Sequence, residues 1–251
     1  MAILHHLSRA FSELLPAARA LTGLWALLLL SFPILERFWG EQARHLGLIA
    51  AVVVQVTVVL ILLGTAWGWL RAGGIALVVV VLAWTAEFIG SRTGVPFGRY
   101  HYTGRLQPQL GRVPLLIPLA WLMMLPPAWA IADLIAAGRG LPFIAISALA
   151  FTAWDLFLDP QMVGWGLWVW KNRSGYFGIP WVNFAGWVLI AGAITAIVRP
   201  GPLPAEPLSL VYAITWLLET AGLGILSRRP GPALAGFLGM GGMLTWAWLL
   251  K

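Results

Sequence analysis

Asp155 and Asp159 stand four residues apart in Trp154-Asp155-Leu156-Phe157-Leu158-Asp159-Pro160, at the end of a long apolar run. On a helix that spacing puts both carboxyl groups on one face, about one turn apart. Ionisable groups at membrane depth are costly and usually face a protein interior or a wet cavity. A carboxyl group desolvated near a helix C-terminus favours its neutral form, which is the condition for a general acid, and a neighbouring arginine opposes this. One member of such a set can therefore be neutral while its partner is ionised.

Two further acids belong with this pair. Glu87 lies near the end of an earlier apolar run and Glu219 in the second half of a later one. Counting spans places all four near one membrane face, where two long polar loops, 91–112 and 160–180, also emerge. The first loop carries Arg99, Tyr100, His101 and Tyr102 behind a Gly/Pro turn, a supply of donors, acceptors and aromatic faces. The second contains Gly175-Tyr176-Phe177-Gly178-Ile179-Pro180-Trp181 and leads to Asn183, an amide just inside a span that needs a partner or a ligand. Asp133 alone among the acids inside spans points to the other face.

Each acid also has a plainer explanation. Asp159 before Pro160 fits a helix N-cap with proline at the first helical position. Asp155 could hydrogen-bond a neighbouring span, Glu87 could pair with Arg92 or Arg99, and Glu219 could bridge two helices as a lone protonated acid.

The elements that position these groups follow from composition. Of 251 residues, 60% are hydrophobic and 10% charged, with a mean hydropathy of +0.86. Soluble domains carry about 25% charge. The apolar runs are too continuous for an outer-membrane barrel. The sequence therefore predicts an all-α, polytopic integral membrane protein forming one transmembrane domain over 1–251. About eight spans of roughly 20 residues are expected, near 20–36, 46–69, 73–90, 113–136, 141–158, 181–198, 207–226 and 231–250. The stretch 160–179 is expected to be an interfacial helix with Trp165, Trp168 and Trp170 in the headgroup belt, or a short re-entrant segment. Some of the 16 tryptophans could instead line a pocket with their π-faces.

Loops after odd-numbered spans carry more Lys and Arg than the remaining loops and termini, which puts the acid-bearing face in the cytoplasm and both termini outside. His5, His6, Arg9 and Arg19 precede a run with no small-residue cleavage pattern, which reads as a retained first span. The net charge of +7 suits anionic lipid headgroups; no basic face or motif for nucleic acid accompanies it. There is no cysteine, and His5, His6, His45 and His101 show no ligand spacing beside a carboxylate, so no metal site is expected. Phosphate loops, dinucleotide fingerprints and a nucleophile elbow are missing from the sequence.

Four segments carry a resemblance: Glu87-Phe-Ile-Gly-Ser-Arg-Thr-Gly-Val-Pro-Phe-Gly-Arg-Tyr-His-Tyr-Thr103, Val113-Pro-Leu-Leu-Ile-Pro-Leu-Ala-Trp121, Trp154–Pro160 and Gly175–Trp187. Over about 80–190 the chain resembles the CruF family of integral-membrane carotenoid hydratases, which includes bisanhydrobacterioruberin hydratases and gamma-carotene or lycopene 1,2-hydratases. The resemblance implies addition of water across the terminal C1–C2 double bond of an acyclic (ψ) end group, giving a tertiary alcohol. The substrate would be an acyclic or monocyclic C40–C50 carotenoid held in a bacterial or archaeal cell membrane, with no cofactor. Such chemistry needs an acid to protonate C2, stabilisation of the cation at C1, and a positioned water. Asp155 or Glu87 would donate the proton, and Asp159 would orient water or return protons. Tyr100, Tyr102, Trp121 and Trp187 would face the cation, while Arg99 and Asn183 would order water or tune the acids. A carotenoid end-group cyclase would use the same protonation. A proton-coupled carrier would also place acids in the membrane, but from both halves of the fold.

Overall fold

The computed structural model describes residues 11–12, 14–136 and 138–250. His5, His6, Arg9 and Lys251, used above for charge and topology, lie outside them. Seven long helices dominate: α1 Pro16–Trp67, α2 Trp69–Thr93, α3 Leu116–Ile135, α4 Leu141–Gly164, α5 Trp181–Val198, α6 Ala205–Ala221 and α7 Pro230–Leu249. A π-helical turn, Gly222–Leu226, extends α6. Short strands lie between: β1 Tyr100–Tyr102, β2 Gln109–Leu110, β3 Val113–Pro114 and β4 Trp168–Trp170.

This is an all-α membrane protein, and among the described residues six helical segments are long and apolar enough to cross a bilayer. Its surface is apolar where lipid would lie, as at Leu70 and Leu141. The expected first and second spans are the two helical arms of Pro16–Trp67, which fold back on each other where Gly40 takes φ 79° and bring Gly47 against Leu35 and Phe32. That conformation is open to glycine and interrupts the helical ladder between two arms. The eighth expected span exists as α7, but its proline, glycine and tryptophan content keeps it outside the six that meet the apolar criterion.

Helix α3 is the centre of the bundle and packs against α1, α2, α4, α6 and α7. It tolerates Pro126 and Pro127 in its interior. A proline at position i removes the N–H that would bond the carbonyl at i−4. For Pro127 that carbonyl is Met123 O, and Gln55 Nε2 of α1 reaches it at 3.5 Å. The same device recurs on α4, where Pro160 frees Leu156 O and the Tyr176 hydroxyl donates to it at 2.8 Å.

That second case corrects the expected interfacial helix. Helix α4 does not stop before Pro160 but runs to Gly164, so Asp159 sits inside the helix and is no N-cap. The chain then turns at Gly166 (φ 66°) and forms β4, which pairs antiparallel with β1. The register sets Tyr100 opposite Trp170 and Tyr102 opposite Trp168, with His101 opposite Val169. Period-two alternation puts the four aromatic rings on one face of this ribbon and His101 on the other. Trp168 and Trp170 are consequently buried at 5% and 4% exposure instead of resting in the headgroup layer. The half-buried Trp165 packs edge-on against Phe32 and lies 4.7 Å beneath the Arg44 guanidinium. On the opposite side of the fold, Asp133 is paired with Arg139.

Candidate active site

Beneath the β1–β4 ribbon lies a cavity walled mainly by aromatic and aliphatic side chains, into which Glu87, Asp159, Asn183, Gln55, Gln161 and Glu219 bring polar atoms. It takes residues from α1 to α6 and from both loops, so no local stretch of sequence contains it.

Helix α4 presents Asp155 and Asp159 one turn apart, both fully buried. Asn183, at the start of α5, donates one Nδ2 hydrogen to Asp155 Oδ2 at 3.0 Å and the other to Asp159 Oδ2. Trp168 Nε1 donates to the remaining oxygen of Asp159 at 3.0 Å. Asp155 Oδ1 has no hydrogen-bond partner in the protein. Asp159 lines the cavity and Asp155 stands behind it. Asn183 thus has the partners its position demanded, and the plainer expectation that Asp155 bonds a neighbouring span also holds.

Glu87 occupies another wall. It makes no ion pair with Arg92 or Arg99: Arg92 donates to the carbonyls of Phe88 and Gly111, at 3.2 and 3.1 Å. Three donors converge on Glu87 instead. The Tyr100 and Tyr102 hydroxyls both reach Oε2, the latter at 2.7 Å, and Trp121 Nε1 reaches Oε1 at 3.2 Å. Burial, reinforced by the charge of Glu87, pushes both phenols well above the ordinary tyrosine range, so they remain donors.

The rings form a continuous surface. Trp121 and Trp187 stack at 5.0 Å between centroids, and Phe151 stacks on Trp187 at 5.2 Å. Tyr100 leans on Trp170 at 5.6 Å, and Tyr102 meets Trp168 edge-on at 5.8 Å. A wall of π-faces beside buried carboxylates is suited to a carbocation, because ring quadrupoles and negative charge both favour positive charge.

Of the residues expected from sequence, Glu87, Asp159, Glu219, Tyr100, Tyr102, Trp121, Asn183 and Trp187 line this one cavity. Arg99 and His101 do not, and both are exposed. Sequence reasoning missed Trp168, Trp170, Gln161 and Gln55. For the two tryptophans a signal existed: Trp-Val-Trp and Tyr-His-Tyr share a period of two.

Comparison with known proteins now decides the family. A model of the family described as "carotenoid biosynthesis protein" matches residues 46–241. The chain belongs to that family. The match begins in the second arm of α1 and ends in α7, so it takes in both walls of the cavity and the ribbon above it. Among curated relatives, bisanhydrobacterioruberin hydratase of Haloarcula japonica is 33% identical to this chain over 191 residues. The alignment covers 70% of this chain, and the chain spans 64% of the relative's length. Membership agrees with the CruF resemblance of the four quoted segments. No solved structure matches.

The site's hydrogen bonds yield one expectation directly. Trp168→Phe keeps a ring in the ribbon but removes the donor to Asp159. A hydrogen bond to a charged group contributes about 1.5–3 kcal/mol, so the rate of any reaction that uses the Asp159 carboxyl, per unit of membrane protein, should fall roughly 10- to 100-fold. Retained conversion would mean that this bond does not serve the chemistry.

Proposed function

We propose that this chain is a carotenoid hydratase that adds water across the terminal C1–C2 double bond of an acyclic end group. What supports it most is one cavity bounded by Asp159, with Asp155 tied behind it through Asn183, by Glu87 with its three donors, and by stacked aromatic rings. Family membership and the hydratase relative support the substrate class.

Two carboxyl groups bridged by one amide and sealed from solvent cost least when they hold a proton between them. In the mechanism we derive, Asp159, the member at the cavity wall, delivers that proton to C2. Positive charge develops at C1, facing the rings of Trp121 and Trp187 and the Glu87 carboxylate. Water attacks C1 and gives up a proton to Glu87, which returns it through the cavity to the aspartate pair. One C–H and one C–O bond form, one π-bond is lost, and no net proton is consumed. The residues carry the whole cycle without a cofactor. The acid-bearing face is assigned to the cytoplasm by the Lys/Arg asymmetry of the loops.

Expression in a lycopene-accumulating bacterium, with pigments read by mass spectrometry, tests this. A gain of the mass of water is the expected result. Unchanged mass with a new ring would turn the reading to a cyclase. Neither product, with folded protein in the membrane and gamma-carotene also supplied, would sink the enzyme and favour a carrier.

A further inference from the structure

Hydration consumes one water per turnover, while its proton circulates within the site. Water is thus the reactant that must be imported, into a cavity that a polyene end group already fills. That cavity leaves about 70 Å³ for the centres of water molecules. Beside it lies a second cavity of about 580 Å³. Charged side chains line this neighbour, among them Glu36, Arg44, Glu41 and Arg105. Arg44 pairs with Glu36 and Arg105 with Glu41 at 3.0 Å, while Arg37 and Arg229 add further positive charge, so the space is polar and basic. Its size and polar lining suit it to be a vestibule for water.

Only four residues line both cavities: Leu29, Phe32, Gln161 and Glu219. Two are apolar and two polar, and the polar two face each other with Gln161 Nε2 at 3.4 Å from Glu219 Oε2. That is a long, weak contact, one that a passing water can replace at little cost. The backbone supplies a second, independent indication. Directly after Glu219 the helix widens into the π-helical turn, and Gly222, Leu223 and Leu226 of that turn line the vestibule. Such turns recur at functional sites.

We propose that Gln161 and Glu219 form the passage through which water reaches the cation. This rests on the hydratase reading. The two act as access and positioning residues; Asp155, Asp159 and Glu87 perform the proton transfers.

The test uses the partition of the cation. After a deuteron is delivered to C2, the cation is either captured by water or loses a proton from C2 or an adjoining methyl group, which returns an alkene. If water arrives late, recovered substrate gains deuterium. Membranes holding the full-length protein and lycopene are incubated in D2O. Gln161→Met keeps the length and flexibility of the side chain but removes its polar atoms. We expect hydrated product to fall about 10-fold while deuterium in recovered lycopene rises above the wild-type level. Gln161→Glu restores a polar lining and should return product to within a few-fold. If Gln161→Met does not accumulate, Glu219→Met carries the same prediction. Unchanged product in the Met variants would overturn the passage. Product lost without deuterium gain would also overturn it, since protonation itself would then have failed. A wild-type protein that forms no hydrated product would overturn the hydratase reading instead, so the two failures are distinguishable.

Discussion

Asp159→Asn is expected to lower hydrated carotenoid by about 10²- to 10⁴-fold, the usual contribution of a positioned general acid. The substitution preserves shape and changes what the group can do. An amide carries no transferable proton, and its NH2 would meet either Trp168 Nε1 or Asn183 Nδ2, both donors already aimed at this side chain. Asp155→Asn leaves the cavity wall intact, because Asp155 stands behind Asp159. Its expected loss is smaller, about 10-fold, through the altered charge of the pair. Pigment mass spectrometry normalised to membrane protein reads both. Equal activity of Asp159→Asn and wild type would remove the aspartate pair from the mechanism.

The second large effect separates chemistry from stability at one position. Glu87→Leu leaves three donors, the buried Tyr100 Oη and Trp121 Nε1 and the half-buried Tyr102 Oη, facing a hydrocarbon side chain. An unsatisfied buried donor costs about 1–3 kcal/mol, so the three together threaten about 3–9 kcal/mol. Native stabilities are typically about 5–15 kcal/mol, and the variant should melt far earlier in detergent or fail to accumulate. Glu87→Gln keeps an acceptor oxygen for the tyrosines and removes the charge. It should fold, with a melting temperature close to wild type, and still lose about 100-fold in conversion, the low end of what an acid–base group supplies. If Glu87→Gln retains full conversion, Glu87 is a structural tie for the ribbon and takes no part in stabilising the cation.

The scaffold was legible because hydrocarbon runs announce themselves: each expected span has a helix in its place. The acids were legible too, since a carboxyl group inside such a run has few uses. What sequence reading lost lies where two weak signals compete. Pro160 marks a helix end in most contexts, which placed 161 in a loop and hid Gln161. Here the helix continues, because Tyr176 supplies a donor for the carbonyl that Pro160 leaves free. Trp168 and Trp170 carry two contradictory readings, an interfacial anchor and one face of a strand. A three-residue strand is too short to decide between them without its partner, and that partner, Tyr100–Tyr102, lies 66 or more residues away. Glu87 stands out in the sequence as an acid inside an apolar run, but its neighbours in space are tyrosines and a tryptophan, not the arginines close to it in sequence.

The prolines have a wider consequence. Within a bilayer there is no solvent to occupy a bare carbonyl, so a helix that omits one rung must be completed by another part of the chain. Two of the omitted rungs act in this way as addresses that name their own correspondents. Met123 is completed by Gln55 across the bundle, and Leu156 by Tyr176 from the loop after β4. The second of these lies three residues before Asp159 and fastens the loop leading to Asn183 onto the helix that carries both aspartates. A more regular α4 would leave that loop without its anchorage, and the amide that holds the acid pair would be free to wander.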